Sequence, residues 1–91
     1  MLSNNEIEFF TRSKLSMEVL KELSKGEHMA KILAIKMHKP RESISRIFLN
    51  LHKLGLTECT KPDSSNFRPY RITMKGRRKL REYSEFVKSF N

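Results

Sequence analysis

The spacing of apolar residues changes partway along this 91-residue chain, and the change restricts the folds open to it. Up to Leu56, apolar residues recur every third or fourth position, which is typical of amphipathic helices. Two short runs between Thr57 and Thr73 instead alternate apolar and polar residues, which is typical of β-strands joined by a turn. Helical spacing then returns. The pattern predicts a single, mainly α domain with a small β-hairpin, that is, an α+β fold.

Local signals divide this pattern into elements. Ser3 and Glu6 form a capping box that begins a short helix. Gly26 ends a second helix that starts near Ser13, and a third runs from about His28 to Met37. Thr73 is placed to cap the last helix. The predicted organisation is a short N-terminal helix over 1–12, a three-helix core over 13–56, a hairpin over 57–73 and a C-terminal helix over 74–91.

The helix predicted over residues 40–54 has the clearest two-sided pattern. The dipeptide Lys39-Pro40 ends the preceding helix, because a residue before proline is disfavoured in the helical region, and Pro40 suits the first position of the next helix. At about 100° per residue, one side is apolar and the opposite side polar. The apolar stripe is Ile44, Ile47, Phe48, Leu51 and Leu54, and the outer side holds Glu42, Arg46, Asn50 and Lys53, with Ser43 and Ser45 on its flanks and Leu49 pointing outward.

The hairpin is predicted from two alternating runs around the turn-forming segment Pro62 to Asn66. Tyr70 and Ile72 are expected on its inner face, with Arg68 and Arg71 near its edges. Because proline cannot donate to a β-ladder, Pro69 indicates an edge strand or a bulge.

The net charge of +9 is distributed unevenly. Residues 1–35 carry five basic and five acidic side chains, residues 36–56 five and one, and residues 57–91 nine and four. An ordinary solvated surface explains a charged face, but it does not require one sign confined to one part of the chain. The distribution therefore favours a polyanionic partner.

Three short motifs connect these features to a known family. They are R-E-S-I-S-R at 41–46, L-H-K-L-G-L at 51–56 and Y-R-I-T-M-K-G-R at 70–77. In this order and spacing the chain resembles the winged helix-turn-helix transcriptional regulators, in the MarR-like and archaeal regulator style. The resemblance implies that helix 40–54 is a recognition helix, that 57–73 is the wing, and that the partner is double-stranded DNA.

The candidate DNA-binding residues fall into two groups, those whose side chains can pair with base edges and those expected to contact phosphates. Arg46 and Asn50 have the side-chain shapes that pair with guanine and adenine, while Glu42 can accept from cytosine and Leu49 can touch a thymine methyl. The remaining candidates are predicted to contact phosphates. They are Lys39, Arg41, Ser43, Ser45 and Lys53 around the helix, with Lys61, Arg68 and Arg71 in the wing beside the adjacent minor groove. The basic run KGRRKLR either approaches the backbone or is only the polar side of the last helix.

Aromatic residues concentrate at the two ends of the chain, and the last helix has an apolar stripe with three- and four-residue spacing. Two readings are open: these residues form a two-fold dimer interface, which we predict, or they fold back over their own core. The predicted interface comprises Phe9, Phe10, Leu80, Tyr83, Phe86, Val87 and Phe90.

The sequence gives little support for metal binding, cofactor binding or catalysis. His28, His38, His52 and Cys59 lack paired-ligand spacing, so we expect no metal, and no cofactor loop or catalytic constellation is present. Nothing resembles a signal peptide or spanning segment, which favours a cytoplasmic, nucleoid-associated protein. We therefore predict a homodimeric, sequence-specific repressor without enzymatic activity, and the sequence leaves open whether it has a small-molecule effector. The alternatives are an architectural DNA-binding protein and a winged-helix protein-interaction module.

Overall fold

The computed structural model describes residues 14–64 and 68–89. Within them the chain forms four helices and one two-stranded antiparallel sheet, so the mainly helical α+β class is confirmed. The predicted helix over 1–12 lies outside the described residues. The elements are α1 (Lys14–Leu23), α2 (Ala30–Met37), α3 (Arg41–Lys53), β1 (Thr57–Cys59), β2 (Tyr70–Ile72) and α4 (Met74–Lys88).

A single apolar core lies where α1, α2, α3 and the sheet meet. α1 and α3 each bury one apolar face, and burying such a face is the main favourable term in folding. α2 contributes Leu33 and Ala34, while its Ile32 and Ile35 are exposed. The partly buried residues Leu80, Tyr83 and Phe86 of α4 pack against this core. The buried apolar side chains are Met17, Val19, Leu20, Leu23, Leu33, Ala34, Ile44, Phe48, Leu51, Leu56, Tyr70 and Ile72.

A short turn connects α2 to α3. His38 adopts the left-handed conformation (φ 56°), and the Lys39 N–H donates to the Ala34 carbonyl at 3.0 Å. This arrangement satisfies a carbonyl at the end of α2 in the manner of a Schellman motif. Pro40 follows with φ −60° as the N-cap, so α3 begins one residue later than predicted.

The start of α2 differs from the prediction. His28 is not helical but extended, and it exchanges two backbone hydrogen bonds with Tyr70, of 3.0 and 2.9 Å. The helix therefore begins at Ala30, with Met29 as an N-cap that provides no side-chain hydrogen bond. The apolar spacing of this segment did not reveal the bridge because its partner is about forty residues away.

The same bridge bears on the prediction for Pro69. β1 pairs with β2 in the register Thr57↔Ile72, and Tyr70 also pairs with His28 on the other side of β2. In this two-stranded sheet β2 is an edge strand, as predicted, and only Tyr70 has a partner on its second side. Pro69 is tolerated because it precedes the strand, and its carbonyl accepts from the Thr60 N–H at 2.9 Å.

The apolar stripe of α3 is largely as predicted. Ile44, Phe48 and Leu51 are buried and Ile47 is half-buried. The prediction for Leu54 is wrong, since its side chain is 39% exposed. The helix ends at Lys53 and the chain turns away through Gly55, whose φ of 76° confirms the predicted glycine stop.

Thr73 caps α4 as predicted and also joins it to the end of α3. Its Oγ1 accepts from the Gly76 N–H at 3.0 Å and donates to the Gly55 carbonyl at 2.7 Å. Its own N–H donates to the Leu56 carbonyl at 3.0 Å. These bonds hold the first turn of α4 against the segment that leads from α3 into β1.

Candidate nucleic-acid interface

The outer side of α3 is exposed as the sequence predicts. Glu42, Arg46, Asn50 and Lys53 are all exposed, and Leu49 points outward with 56% of its side chain accessible. The side chains of Arg46 and Asn50 make no hydrogen bond or ion pair with the part of the chain that the structure describes. Because their donors and acceptors are unengaged, they are available to a ligand that approaches the helix.

An aromatic cluster fixes how α3 is rotated. The ring of Phe48 meets the ring of Tyr70 edge to face, with centroids 5.3 Å apart. The ring of His52 approaches Tyr70 from the next turn at 5.7 Å, and its Nδ1 lies 3.4 Å from the Thr57 carbonyl oxygen. Edge-to-face aromatic contacts add to the stabilisation from burial. They hold one side of α3 on the sheet and so keep Arg46 and Asn50 facing outward.

A groove of about 290 Å³ lies along one flank of α3. Three cationic side chains line it: Lys31 from α2, Arg41 from α3 and Arg68 from the segment before β2. Phe48 and Tyr70 also line it and are buried, so they provide an apolar floor. We call this the basic groove. Its remaining lining residues are Met29, Ala30, Ser45 and Leu49.

Arg68 adjoins Cys59 and Tyr70, which are register partners across the two strands. Its pKa is raised, chiefly by the interaction with the side chain of Cys59 and then by Tyr70. Because an arginine is already charged at every pH at which proteins fold, this shift leaves its charge unchanged.

Arg71 does not join Arg68. Its Nε donates to Glu58 Oε1 at 2.6 Å, and the two residues are opposite each other in the strand register. Successive strand residues point to opposite faces, so Arg71 lies on the face away from buried Tyr70 and Ile72. It lines a second groove with the 23–27 segment and Arg77, which we call the outer groove. The two arginines predicted to act together in the wing thus line different grooves.

The other predicted phosphate contacts are distributed around the start and end of α3. Lys39 is exposed in the α2–α3 turn, Ser43 is half-buried on the flank of α3, and Ser45 lines the basic groove. Lys53 is exposed in the last turn, and Lys61 is exposed just after β1. Their accessibility is compatible with the predicted roles, which remain predictions.

Lys31 was not among the sequence-based candidates. It lies in the first half of the chain, where acidic and basic residues balance, and it is one of two lysines on α2. The other, Lys36, lies 3.6 Å from Glu22, whose pKa is lowered chiefly by its hydrogen bond from Lys25. Lys31 has no ion pair with the described residues. In the sequence, the one distinguishing feature of Lys31 is its position near the predicted start of α2. That position does not predict that its side chain lines the same groove as Arg41 and Arg68.

α4 holds four of the seven residues predicted for a dimer interface. Leu80, Tyr83 and Phe86 pack on the chain's own core, and the rings of Tyr83 and Phe86 stack with centroids 6.4 Å apart. All three remain partly exposed, and Val87 is 38% exposed. The self-packing that the sequence left open is therefore present, and a partly accessible apolar face remains beside it. Phe9, Phe10 and Phe90, also predicted for this interface, lie outside the described residues.

The basic residues of the run KGRRKLR in α4 do not form a single patch beside α3. Lys75 lies near Gly55 at the end of α3, while Lys79 pairs with Glu82 at 3.2 Å. Arg77 lines the outer groove. These cations therefore point in several directions instead of forming one patch.

The described residues, 14–64 and 68–89, also bear on metal binding and on membrane insertion. No group of three His, Cys, Asp or Glu side chains there is placed to hold a metal ion, and Cys59 is a half-buried free thiol. No helix within 14–64 or 68–89 has the length and apolar character needed to cross a membrane.

No protein-family model matches the chain, and no curated protein matches its sequence at a significant level.

Proposed function

We propose that this chain is a winged helix-turn-helix regulator that binds double-stranded DNA sequence-specifically as a homodimer. α3 enters the major groove, and the hairpin between β1 and β2 serves as the wing. An operator that overlaps a promoter would then be blocked to polymerase, which makes repression the simplest outcome.

The observation that carries this proposal is the unengaged outer face of α3. A major groove about 12 Å wide admits one helix, and arginine and asparagine are the side chains that pair with guanine and adenine through two hydrogen bonds. Arg46 and Asn50 are one helical turn apart and both exposed. Two such contacts, at about 1–3 kcal/mol each, favour a matched site by at least about 30-fold per subunit.

Electrostatics supports the same partner. The exposed cations Lys39, Arg41 and Lys53 surround the outer face of α3, and Glu42 is the only acidic residue in that helix. A cationic surface around a base-reading helix positions the helix on phosphates while the helix reads sequence. The alternative, an architectural protein, would bind phosphates through the same charge but would not contact bases through α3. The two functions therefore differ in sequence selectivity rather than in affinity for DNA.

The decisive measurement is a binding titration at several salt concentrations on two duplexes, one selected in vitro from a random library and one of random sequence. We expect the selected duplex to bind at least about 30-fold more tightly, because of the two base contacts. Both should lose affinity with salt at a log–log slope of about −0.9 per phosphate neutralised.

The other functions give different results in the same titration. An architectural protein would show the steep salt dependence without a difference between the duplexes. An interaction module would bind neither duplex even at low salt. Either result would contradict the proposed function.

We also propose that the homodimer forms through the exposed part of α4. Tyr83 and Phe86 are only half covered by their own core, and Val87 is accessible beside them. A second copy placed on this face would remove that apolar surface from water, which is the main favourable term in most protein association. Two DNA-reading helices would then face a palindromic site.

Replacing Val87 with lysine is expected to convert the dimer to a monomer, because it places a charge inside the interface. Analytical ultracentrifugation at tens of micromolar measures this directly. The matched control is Glu85→Lys, which introduces the same residue about 160° away around α4. It should remain dimeric. A wild-type chain that sediments as a monomer at this concentration would refute the dimer.

A further inference from the structure

The basic groove gathers charge that has no counterion within the described chain. Lys31, Arg41 and Arg68 come from three different elements, and no carboxylate is among the groove-lining residues. Neither Lys31 nor Arg41 forms an ion pair with a described residue. Like charges brought to one site repel each other, and an anion in that site relieves the repulsion.

The outer groove provides the contrast within the same molecule. It also contains cations, including Arg71 and Arg77, but Glu27 lines it and Arg71 is already paired with Glu58. Local acidic groups therefore compensate part of its charge. An anion would therefore gain less electrostatic stabilisation in the outer groove than in the basic groove.

The shape of the basic groove suits an anion attached to an apolar body. Its floor is formed by Phe48 and Tyr70, and its rim by the three cations. A nucleic acid strand has this composition, with charged phosphates joined by sugars. The groove also adjoins α3, since Arg41, Ser45 and Leu49 belong to both.

We propose that the basic groove binds one strand of the DNA backbone, with Lys31, Arg41 and Arg68 on neighbouring phosphates. This inference rests on the proposed function and adds a definite geometry to it. Arg68 acts with α2 and α3 on a strand that borders the major groove, whereas Arg71 faces away and takes no part. The wing therefore contributes one arginine, not two.

The test compares Arg68→Ala with Arg71→Ala, two identical substitutions three positions apart in the same hairpin. Arg68→Ala should weaken binding to selected and random duplexes by the same factor and reduce the magnitude of the salt slope by about one. Lys31→Ala, on a separate element, should do the same. Arg71→Ala should leave both quantities at the wild-type values. Thermal unfolding of each variant confirms that it is folded.

A second measurement locates the contacts. In selected duplexes with one phosphate at a time replaced by neutral methylphosphonate, wild type should lose affinity at a few positions. At the phosphate bound by Arg68, the Arg68→Ala variant should show no further loss, and the phosphate bound by Lys31 should lie on the same strand beside it.

The outcomes distinguish this inference from the proposed function. If wild type binds DNA but Lys31→Ala and Arg68→Ala retain its salt slope, the groove assignment is wrong and the function stands. Equal effects of Arg68→Ala and Arg71→Ala would also overturn the assignment. If wild type binds no duplex at low salt, the proposed function is wrong and the assignment with it.

Discussion

Replacing Arg46 with alanine is expected to remove most of the preference for the selected duplex. Arg46 is exposed on the outer side of α3 and has no partner among the described residues, so its guanidinium can pair with a guanine edge. Loss of a bidentate base contact costs about 1–3 kcal/mol, or roughly 5- to 150-fold in the selected-to-random affinity ratio per subunit. A two-subunit site would lose this free energy twice. Anisotropy titrations on both duplexes measure the ratio.

Arg46→Lys is the control that separates base reading from charge. Lysine keeps the positive charge but lacks the planar fork that forms two parallel hydrogen bonds. The variant should therefore retain the salt slope of wild type and still lose much of the selectivity. If both variants keep the full difference between selected and random DNA, Arg46 does not read a base and the orientation of α3 in the groove must be revised.

Replacing Gly76 with alanine is expected to destabilise the fold more than any other glycine substitution in the described chain. A Cβ at Gly76 would lie 2.1 Å from the Leu56 carbonyl oxygen and 2.7 Å from Cγ1 of Ile72. The Leu56 carbonyl cannot easily move, because it accepts the Thr73 N–H that holds the start of α4. Forcing atoms into a packed site costs about 1–3 kcal/mol and sometimes more. This exceeds the gain of about 1 kcal/mol from replacing glycine with alanine in a helix.

Because the overlap involves a fixed backbone carbonyl, we take the upper end of that cost, about 3 kcal/mol, less the gain of about 1 kcal/mol. We therefore expect the free energy of unfolding to fall by about 2 kcal/mol, and the melting temperature by roughly 10 °C. Gly55→Ala is the comparison. Its new Cβ would meet only the flexible Lys75 side chain at 3.7 Å, so the cost is that of the left-handed φ of 76°, about 1 kcal/mol. Thermal melts monitored by circular dichroism measure both. A Gly76→Ala protein as stable as wild type would show that α4 is not pressed against Leu56.

Patterns within single segments predicted most of the architecture. The stripe of Ile44, Phe48 and Leu51, the glycine stop at Gly55 and the Thr73 cap are all present. Each depends on a residue and its near neighbours, so periodicity and capping preferences encode it directly. The outward direction of Arg46 and Asn50 follows from the same periodicity.

The errors occurred where partners are distant in the chain. The His28–Tyr70 bridge, which makes α2 shorter than predicted, joins segments that share no local pattern. Leu54 was counted in the stripe although the chain leaves the helical path at that point, which exposes its side chain. Gly76 belongs to the motif at 70–77, but its packing role was not predicted, because that role depends on a carbonyl twenty residues earlier.

The two parts of the candidate site were predictable to different degrees. Local spacing was sufficient to predict which residues of α3 face outward, because the position of a residue along a helix sets the direction of its side chain. The basic groove required the assembled molecule, because Lys31, Arg41 and Arg68 meet only after α2, α3 and the sheet have packed together. Arg68 and Arg71 line different grooves in the folded molecule. The floor of the basic groove likewise depends on the contact between Tyr70 and Phe48, which joins residues twenty-two positions apart.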